Sequence, residues 1–134
     1  MWYHVSVSVP ANTPEDNPIE QIVRVTSGVI VYLGVGFPSG CKQLVKVRIY
    51  HWEHQIFPIN ADEAASWNGG IEGGQYHYVL DGPPYELIIR AYSPNAGRNH
   101  TVTVFANILP VEVAEPWQAQ MSTLDRIKKL FGLG

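Results

Sequence analysis

A chain of 134 residues with 46% hydrophobic and 16% charged side chains has the length and composition of one globular domain, and it is too apolar for a disordered segment. Its net charge of −3 argues against a nucleic-acid-binding protein, because such proteins neutralise phosphates with clustered lysine and arginine. The single cysteine, Cys41, excludes an internal disulfide and a multi-cysteine metal site.

The first half of the chain has the pattern of short strands joined by turns. Trp2–Val9 alternates apolar and polar residues with period two, which indicates a strand and not a signal peptide. Three prolines between residues 10 and 18 predict a loop, because proline cannot donate to a sheet ladder. Ser27-Gly28 predicts a hairpin or a bend. Further strands are predicted at residues 19–26, 29–35 and 44–50.

The second half continues this pattern with one break. If the strand at 44–50 continued, it would bury His51 and Glu53 and expose Trp52, so a bulge or turn near Tyr50–His51 is predicted. The glycine-rich residues 58–74 are expected to form a loop. Further strands are predicted at 75–80, 85–92 and 100–109. Short strands at this spacing predict an all-β domain over residues 1–110, an antiparallel β-sandwich with a jelly-roll-like order.

The end of the chain has a different pattern. Residues 111–121 predict an extended linker, and residues 122–134 predict a short amphipathic helical arm. Three of the nine basic and one of the twelve acidic side chains lie in 122–134, so the arm carries +2 and the rest of the chain −5. Such an arm can pack on its own domain, on a partner subunit or on a membrane, and the sequence favours a protein partner. Its apolar stripe consists of Leu124, Ile127, Leu130 and Phe131, and its cationic residues are Arg126, Lys128 and Lys129.

No motif in the sequence predicts catalysis or a cofactor. His51 and His54 are three residues apart, which on a strand places them on opposite faces and argues against a shared metal ion. Cys41 follows a glycine turn with no predicted histidine partner, and the sequence has no nucleophile elbow. The chain is therefore predicted to be non-enzymatic, with neither cofactor nor metal.

Five aromatic residues around the loop-rich middle are candidate ligand or interface residues: Trp52, Trp67, Tyr76, Tyr78 and Tyr92. Exposed aromatic rings are platforms on which sugars stack, so a polysaccharide-binding module is one interpretation. Tyrosine and tryptophan are also common in strands and enriched in subunit interfaces, and an interface agrees better with the helical arm. Both interpretations are open at this point.

Five segments carry a resemblance to a known class of protein: GFPSGC at 36–41, VRIYH at 47–51, HQIFP at 54–58, PYEL at 84–87 and HTVTV at 100–104. Together with Leu109-Pro110, they make residues 5–110 resemble small β-sandwich structural proteins from the virions of tailed phages and proviruses. The resemblance implies a head-decoration, capsid-stabilising or fibre-type part, made in the host cytoplasm and located in the virion. It implies oligomers built through the sandwich, with a capsid or other virion protein as partner, and no catalytic residues.

The leading hypothesis is a non-enzymatic viral structural protein that self-associates, attaches through its C-terminal arm and does not bind nucleic acid. The alternative is a carbohydrate-binding β-sandwich module that uses the exposed aromatic side chains.

Overall fold

The computed structural model describes residues 1–60, 62–80 and 82–114. These residues form strands and one helical turn, which confirms the all-β prediction, and none of their helices is long and apolar enough to span a membrane. The predicted helical arm at 122–134 lies outside the described residues. The elements are β1 (Trp2–Val9), β2 (Ile19–Arg24), β3 (Gly28–Phe37), β4 (Lys46–His51), β5 (His54–Phe57), β6 (Gly70–Leu80), β7 (Glu86–Tyr92), β8 (His100–Leu109) and α1 (Val111–Ala114).

The strands form two antiparallel four-stranded sheets. The first sheet has the order β1-β8-β3-β6, and the second sheet has the order β2-β7-β4-β5. Strands that are neighbours in the described chain mostly lie in different sheets, and only β4 and β5 form a tight hairpin. The first sheet therefore joins the two ends of the described chain, with β8 between β1 and β3.

One hydrophobic core lies between the sheets. In β1 and β8, every second side chain points inward, and Val7 and Val102 are among those that are almost fully buried. In β4 and β7, Val47 and Ile89 do the same from the opposite side, and all four residues belong to one cluster. This period-two burial on both sheets is the packing that a β-sandwich requires, so it is consistent with that prediction.

The parity break near Tyr50–His51 is confirmed. The register between β4 and β5 shifts between Ile49 and Tyr50, and the chain then reverses in a two-residue turn at Trp52-Glu53, so that His51 pairs with His54. The turn explains the break in alternation, because β4 ends at the turn and the residues after it belong to a new strand with its own inward and outward positions. At Ser27 the structure has a bend and not a hairpin, because β2 and β3 belong to different sheets.

Two segments differ from the sequence prediction. The predicted glycine-rich loop at 58–74 contains the beginning of β6, where Gly73 pairs with Gly34. These glycines allow two strands to approach closely, because a Cβ atom on Gly73 would lie 2.3 Å from the Leu33 carbonyl oxygen. The first residues of the predicted extended linker form α1, where the Val113 N–H donates to the Pro110 carbonyl at 3.0 Å. Proline is common at the start of a helical turn, because it has no N–H that would be left without a hydrogen-bond partner there.

Candidate functional site

The outward face of the first sheet carries no Asp, Glu, Lys or Arg side chain among the described residues. The strands β1, β3 and β8 contain none of these residues. In β6, the carboxylate of Glu72 accepts a hydrogen bond from the Ser66 N–H at 2.7 Å and does not lie on the outward face. We call this surface the first-sheet face. Its side chains are Trp2, His4, Ser6, Ser8, Tyr32, Ile71, Gln75, His77, Val79, Thr101, Thr103, Phe105 and Asn107.

Aromatic rings are spread across the first-sheet face. The ring centroids of Trp2 and Tyr32 are 5.3 Å apart, and those of His4 and Phe105 are 6.3 Å apart. The Phe105 ring lies over Gly36, where a Cβ atom would come within 3.2 Å of the ring. Trp2 and Ile71 are each 57% exposed. The face therefore presents apolar and aromatic surface to its surroundings.

The outward face of the second sheet has the opposite character. Arg90 donates to Glu20 at 3.1 Å and lies 4.6 Å from the ring centre of Tyr50. Arg48 donates to the carbonyl of Asp62 at 2.8 Å. These charges are partnered within the chain, as expected of a surface that stays in water. Its charged side chains are Glu20, Arg24, Lys46, Arg48, Glu86 and Arg90, and we call it the second-sheet face.

Tyr92, one of the five predicted aromatic residues, belongs to this charged surface. Its side chain is buried, and the guanidinium of Arg48 lies 5.5 Å from the centre of its ring. Burial raises the pKa of Tyr92, while Arg48 acts in the opposite direction. Tyr92 thus packs beneath the charged layer and does not offer a free ring face.

A groove opens between β5 and β6, the adjacent edge strands of the two sheets. It has a volume of about 570 Å³ and is lined by residues of both strands and of the loop after β5. We call it the edge groove. None of its lining side chains is Asp, Glu, Lys or Arg. They are His54, Gln55, Ile56, Ile59, Gln75, Tyr76, His77 and Tyr78.

Hydrogen bonds and ring contacts order the wall of the edge groove. His51 Nε2 lies 3.0 Å from the Pro84 carbonyl, which can only accept, so this nitrogen carries the proton. His51 Nδ1 lies within hydrogen-bond distance of the Tyr78 hydroxyl, at 2.7 Å. On its other side, the Tyr78 ring stacks on His54 with a centroid distance of 6.2 Å. His51 thus bridges the Tyr78 hydroxyl and the Pro84 carbonyl and holds Tyr78 in place.

Tyr76 and Gln55 complete this side of the molecule. The Tyr76 ring meets the Phe57 ring edge-on, with a centroid distance of 6.2 Å. Burial raises the pKa of Tyr76, and the nearby Tyr78 raises it further. Gln55 uses its amide nitrogen to hold the following loop, with contacts of 2.9 Å to the Pro58 carbonyl and 3.0 Å to the Glu63 carbonyl. Gln55 was not predicted from the sequence, because only the hairpin places it beside this loop.

The two predicted tryptophans lie at different places. Trp52 is at the tip of the β4–β5 hairpin, two residues before groove-lining His54, and is 63% exposed. Trp67 precedes β6 and is 48% exposed, with its indole over Gly70. Of the five predicted aromatic residues, Tyr76 and Tyr78 therefore line the edge groove and Trp52 stands on the adjoining hairpin. The predicted arm residues, from Leu124 to Phe131, lie outside the described residues.

Neither a group of metal-binding residues in the described part of the chain nor a comparison with known proteins identifies a further site. In residues 1–60, 62–80 and 82–114, no three His, Cys, Asp or Glu side chains are grouped to hold a metal ion. No protein-family model matches the chain, and a comparison with curated proteins finds no match.

Proposed function

We propose that this protein is a non-enzymatic structural subunit of a larger assembly, of the phage virion class that its sequence resembles, and that the first-sheet face is its contact surface. One observation carries the proposal: among the described residues, the outward faces of the two sheets differ in charge, with no Asp, Glu, Lys or Arg on the first-sheet face and six on the second-sheet face. Interface centres are depleted of charge and enriched in aromatic residues, because buried charges lose hydration.

The strand order supports the same class of protein. The ladders β1–β8, β2–β7, β3–β6 and β4–β5 are those obtained when one long antiparallel ribbon is rolled up on itself. We infer from this order that the two sheets form a jelly roll, a fold used by viral capsid proteins and also by lectins. Because one fold serves several functions, we infer assembly from the first-sheet face and not from the fold.

We expect Ile71→Lys to disrupt self-association and Ile22→Lys to leave it intact. Both isoleucines lie on strands and are exposed, at 57% for Ile71 and 49% for Ile22, but Ile71 is on the first-sheet face and Ile22 on the second-sheet face. A lysine at Ile71 would have to lose hydration inside the contact. Light-scattering chromatography of the full chain over a range of concentrations measures the mass of each variant.

Two results of this experiment would contradict the proposal: a monomeric wild type at every concentration, or equal loss of mass in both lysine variants.

The same measurement tests the predicted arm. If Leu130→Ser with Phe131→Ser abolishes attachment while the domain stays folded by circular dichroism, the arm is an attachment element. If the double variant assembles like wild type, the arm is not needed for self-association.

A second candidate function is favoured by the neutral edge groove. Saccharides are uncharged, polyhydroxylated molecules, and they suit a groove with ordered aromatic rings and amide or imidazole groups. The edge groove offers Tyr76, Tyr78, His54 and His77 without a formal charge from Asp, Glu, Lys or Arg in its lining. The exposed Trp52, on the hairpin that contributes His54, offers a further ring.

For this second function, Trp52→Ala is expected to remove retention on a polysaccharide column, while Trp67→Ala keeps it. Both tryptophans are exposed, so neither substitution removes core packing, and only Trp52 lies on the hairpin that contributes His54 to the edge groove. Affinity chromatography on several immobilised polysaccharides is the measurement. Failure of the wild type to bind any of them, or equal loss in the two variants, would rule out the groove as a saccharide site.

A further inference from the structure

The four edge strands of the two sheets differ in how they are protected against pairing with another chain. In the second sheet, β2 carries Glu20 and Arg24 and follows Pro18, and β5 has only four residues. Charges, proline and shortness are the usual means of preventing edge-to-edge association. In the first sheet, β1 has eight residues without charge or proline, and its register with β8 is unbroken. The strand β1 itself therefore has none of these means of protection.

The hydrogen-bond parity of β1 shows which residues serve this free edge. The Ile108 N–H donates to the Met1 carbonyl at 2.9 Å, so these two residues form a hydrogen-bonded pair. Such pairs alternate along an antiparallel ladder, so Tyr3, Val5, Val7 and Val9 bond to β8. The backbone groups of Trp2, His4, Ser6 and Ser8 consequently point away from β8, and their side chains are exposed on the first-sheet face.

The other free edge of the first sheet is less suitable. The strand β6 contains Gly73 and Gly74 with φ values of 135° and 156°, and its ladder with β3 has a register shift between Ile30 and Tyr32. It also carries Glu72. An irregular strand offers its N–H and C=O groups at uneven spacing, so it pairs poorly with a regular partner. Of these two edges, β1 is the one with regular geometry.

We propose that β1 pairs with β1 of a second copy of this chain, antiparallel across a two-fold axis, to form a continuous eight-stranded sheet. A second copy fits because antiparallel pairing of a strand with itself is self-complementary, and no like charges meet in it. The pairing would join two first-sheet faces into one uncharged surface. This inference rests on the proposed function, since it adds a second contact between copies, along the β1 edge, to the contact through the first-sheet face.

The test is Ser6→Pro, with Ser6→Ala as its matched control. The Ser6 N–H points to the free edge, so proline removes no hydrogen bond to β8, and proline is tolerated at such edge positions. Both variants lose the hydroxyl contact of 3.4 Å between Ser6 Oγ and Thr103 Oγ1, so only the edge N–H and the ring distinguish them. We expect the dimer dissociation constant of Ser6→Pro to rise roughly tenfold or more over Ser6→Ala, because symmetry removes the donor twice.

Sedimentation equilibrium gives the dissociation constants, and circular dichroism shows whether each variant is folded. If Ser6→Pro is unfolded, Ser6→Lys decides, since it keeps the N–H but places a like charge on each of the two paired strands. Edge pairing is overturned if the dissociation constant of folded Ser6→Pro, or of Ser6→Lys, equals that of Ser6→Ala. If Ile71→Lys dissociates while the Ser6 variants assemble, the proposed function stands and the edge inference alone fails. A wild type that is monomeric throughout overturns both.

Discussion

Trp52 occupies a backbone conformation that does not suit its side chain. Its φ is 58°, in the left-handed region, which costs a residue with a Cβ atom roughly 1–2 kcal/mol. Two-residue hairpin turns usually place glycine or asparagine there. Because the indole is 63% exposed, burial does not offset this cost. The ring therefore contributes nothing evident to the fold, which agrees with a role in contact with another molecule.

We expect Trp52→Gly to be more stable than Trp52→Ala by about 1 kcal/mol. Both substitutions remove the indole, but only glycine relieves the left-handed backbone, and its extra freedom when unfolded offsets part of the gain. Urea denaturation of the two variants, compared as free energies of unfolding, measures the difference. An alanine variant equal to or more stable than the glycine variant would show that the turn is not strained at this position.

The histidines show how far residue types alone can predict a site. The sequence showed that His51 and His54 needed a turn to share a face, and the structure has that turn. It did not show the partners of His51, because Tyr78 and the Pro84 carbonyl are 27 and 33 residues away along the chain. Contacts of this range depend on which strands become neighbours, and local alternation does not determine that.

The strands β3 and β6 approach each other closely at Gly73. Gly73 has a φ of 135°, and a Cβ atom on it would lie 2.3 Å from the Leu33 carbonyl oxygen. We expect Gly73→Ala to lower the free energy of unfolding by at least ~2 kcal/mol, because it adds a steric clash to a strained backbone.

Gly97→Ala is the control for this substitution, since Gly97 has no atom within 4 Å of a built Cβ. Its effect should stay within about 0.5 kcal/mol, as for other open surface positions. Thermal and urea unfolding of the three proteins give the comparison. A Gly73→Ala variant as stable as Gly97→Ala would mean that β3 and β6 do not meet at this register.

Strand boundaries were predicted well where side chains alternate and poorly where glycines stand. The predicted bounds of β1 and β8 agree with the structure, because each buries every second residue against the core. The prediction placed the beginning of β6 in a loop, since Gly70, Gly73 and Gly74 resemble turn residues in a sequence. In the structure these glycines do not form a turn. Because glycine has no side chain, they allow β6 to lie close to β3.

The charge asymmetry is a property of the whole molecule that composition conceals. A net charge of −3 says nothing about position, although three strands, β1, β3 and β8, contain no Asp, Glu, Lys or Arg and this is visible in the sequence. What the sequence does not show is that these strands are adjacent, because the order β1-β8-β3 joins distant parts of the chain. The first-sheet face thus follows from strand order together with sequence, and neither alone predicts it.

The position of β8 between β1 and β3 also has a consequence for biosynthesis. While the polypeptide grows on the ribosome, β1 emerges first but has no neighbour in its sheet until β8, the last strand described, has been translated. Almost the whole domain must therefore leave the exit tunnel before the first sheet can close. Throughout that interval the uncharged β1 is an unpaired strand, and nascent copies on one messenger RNA carry it side by side.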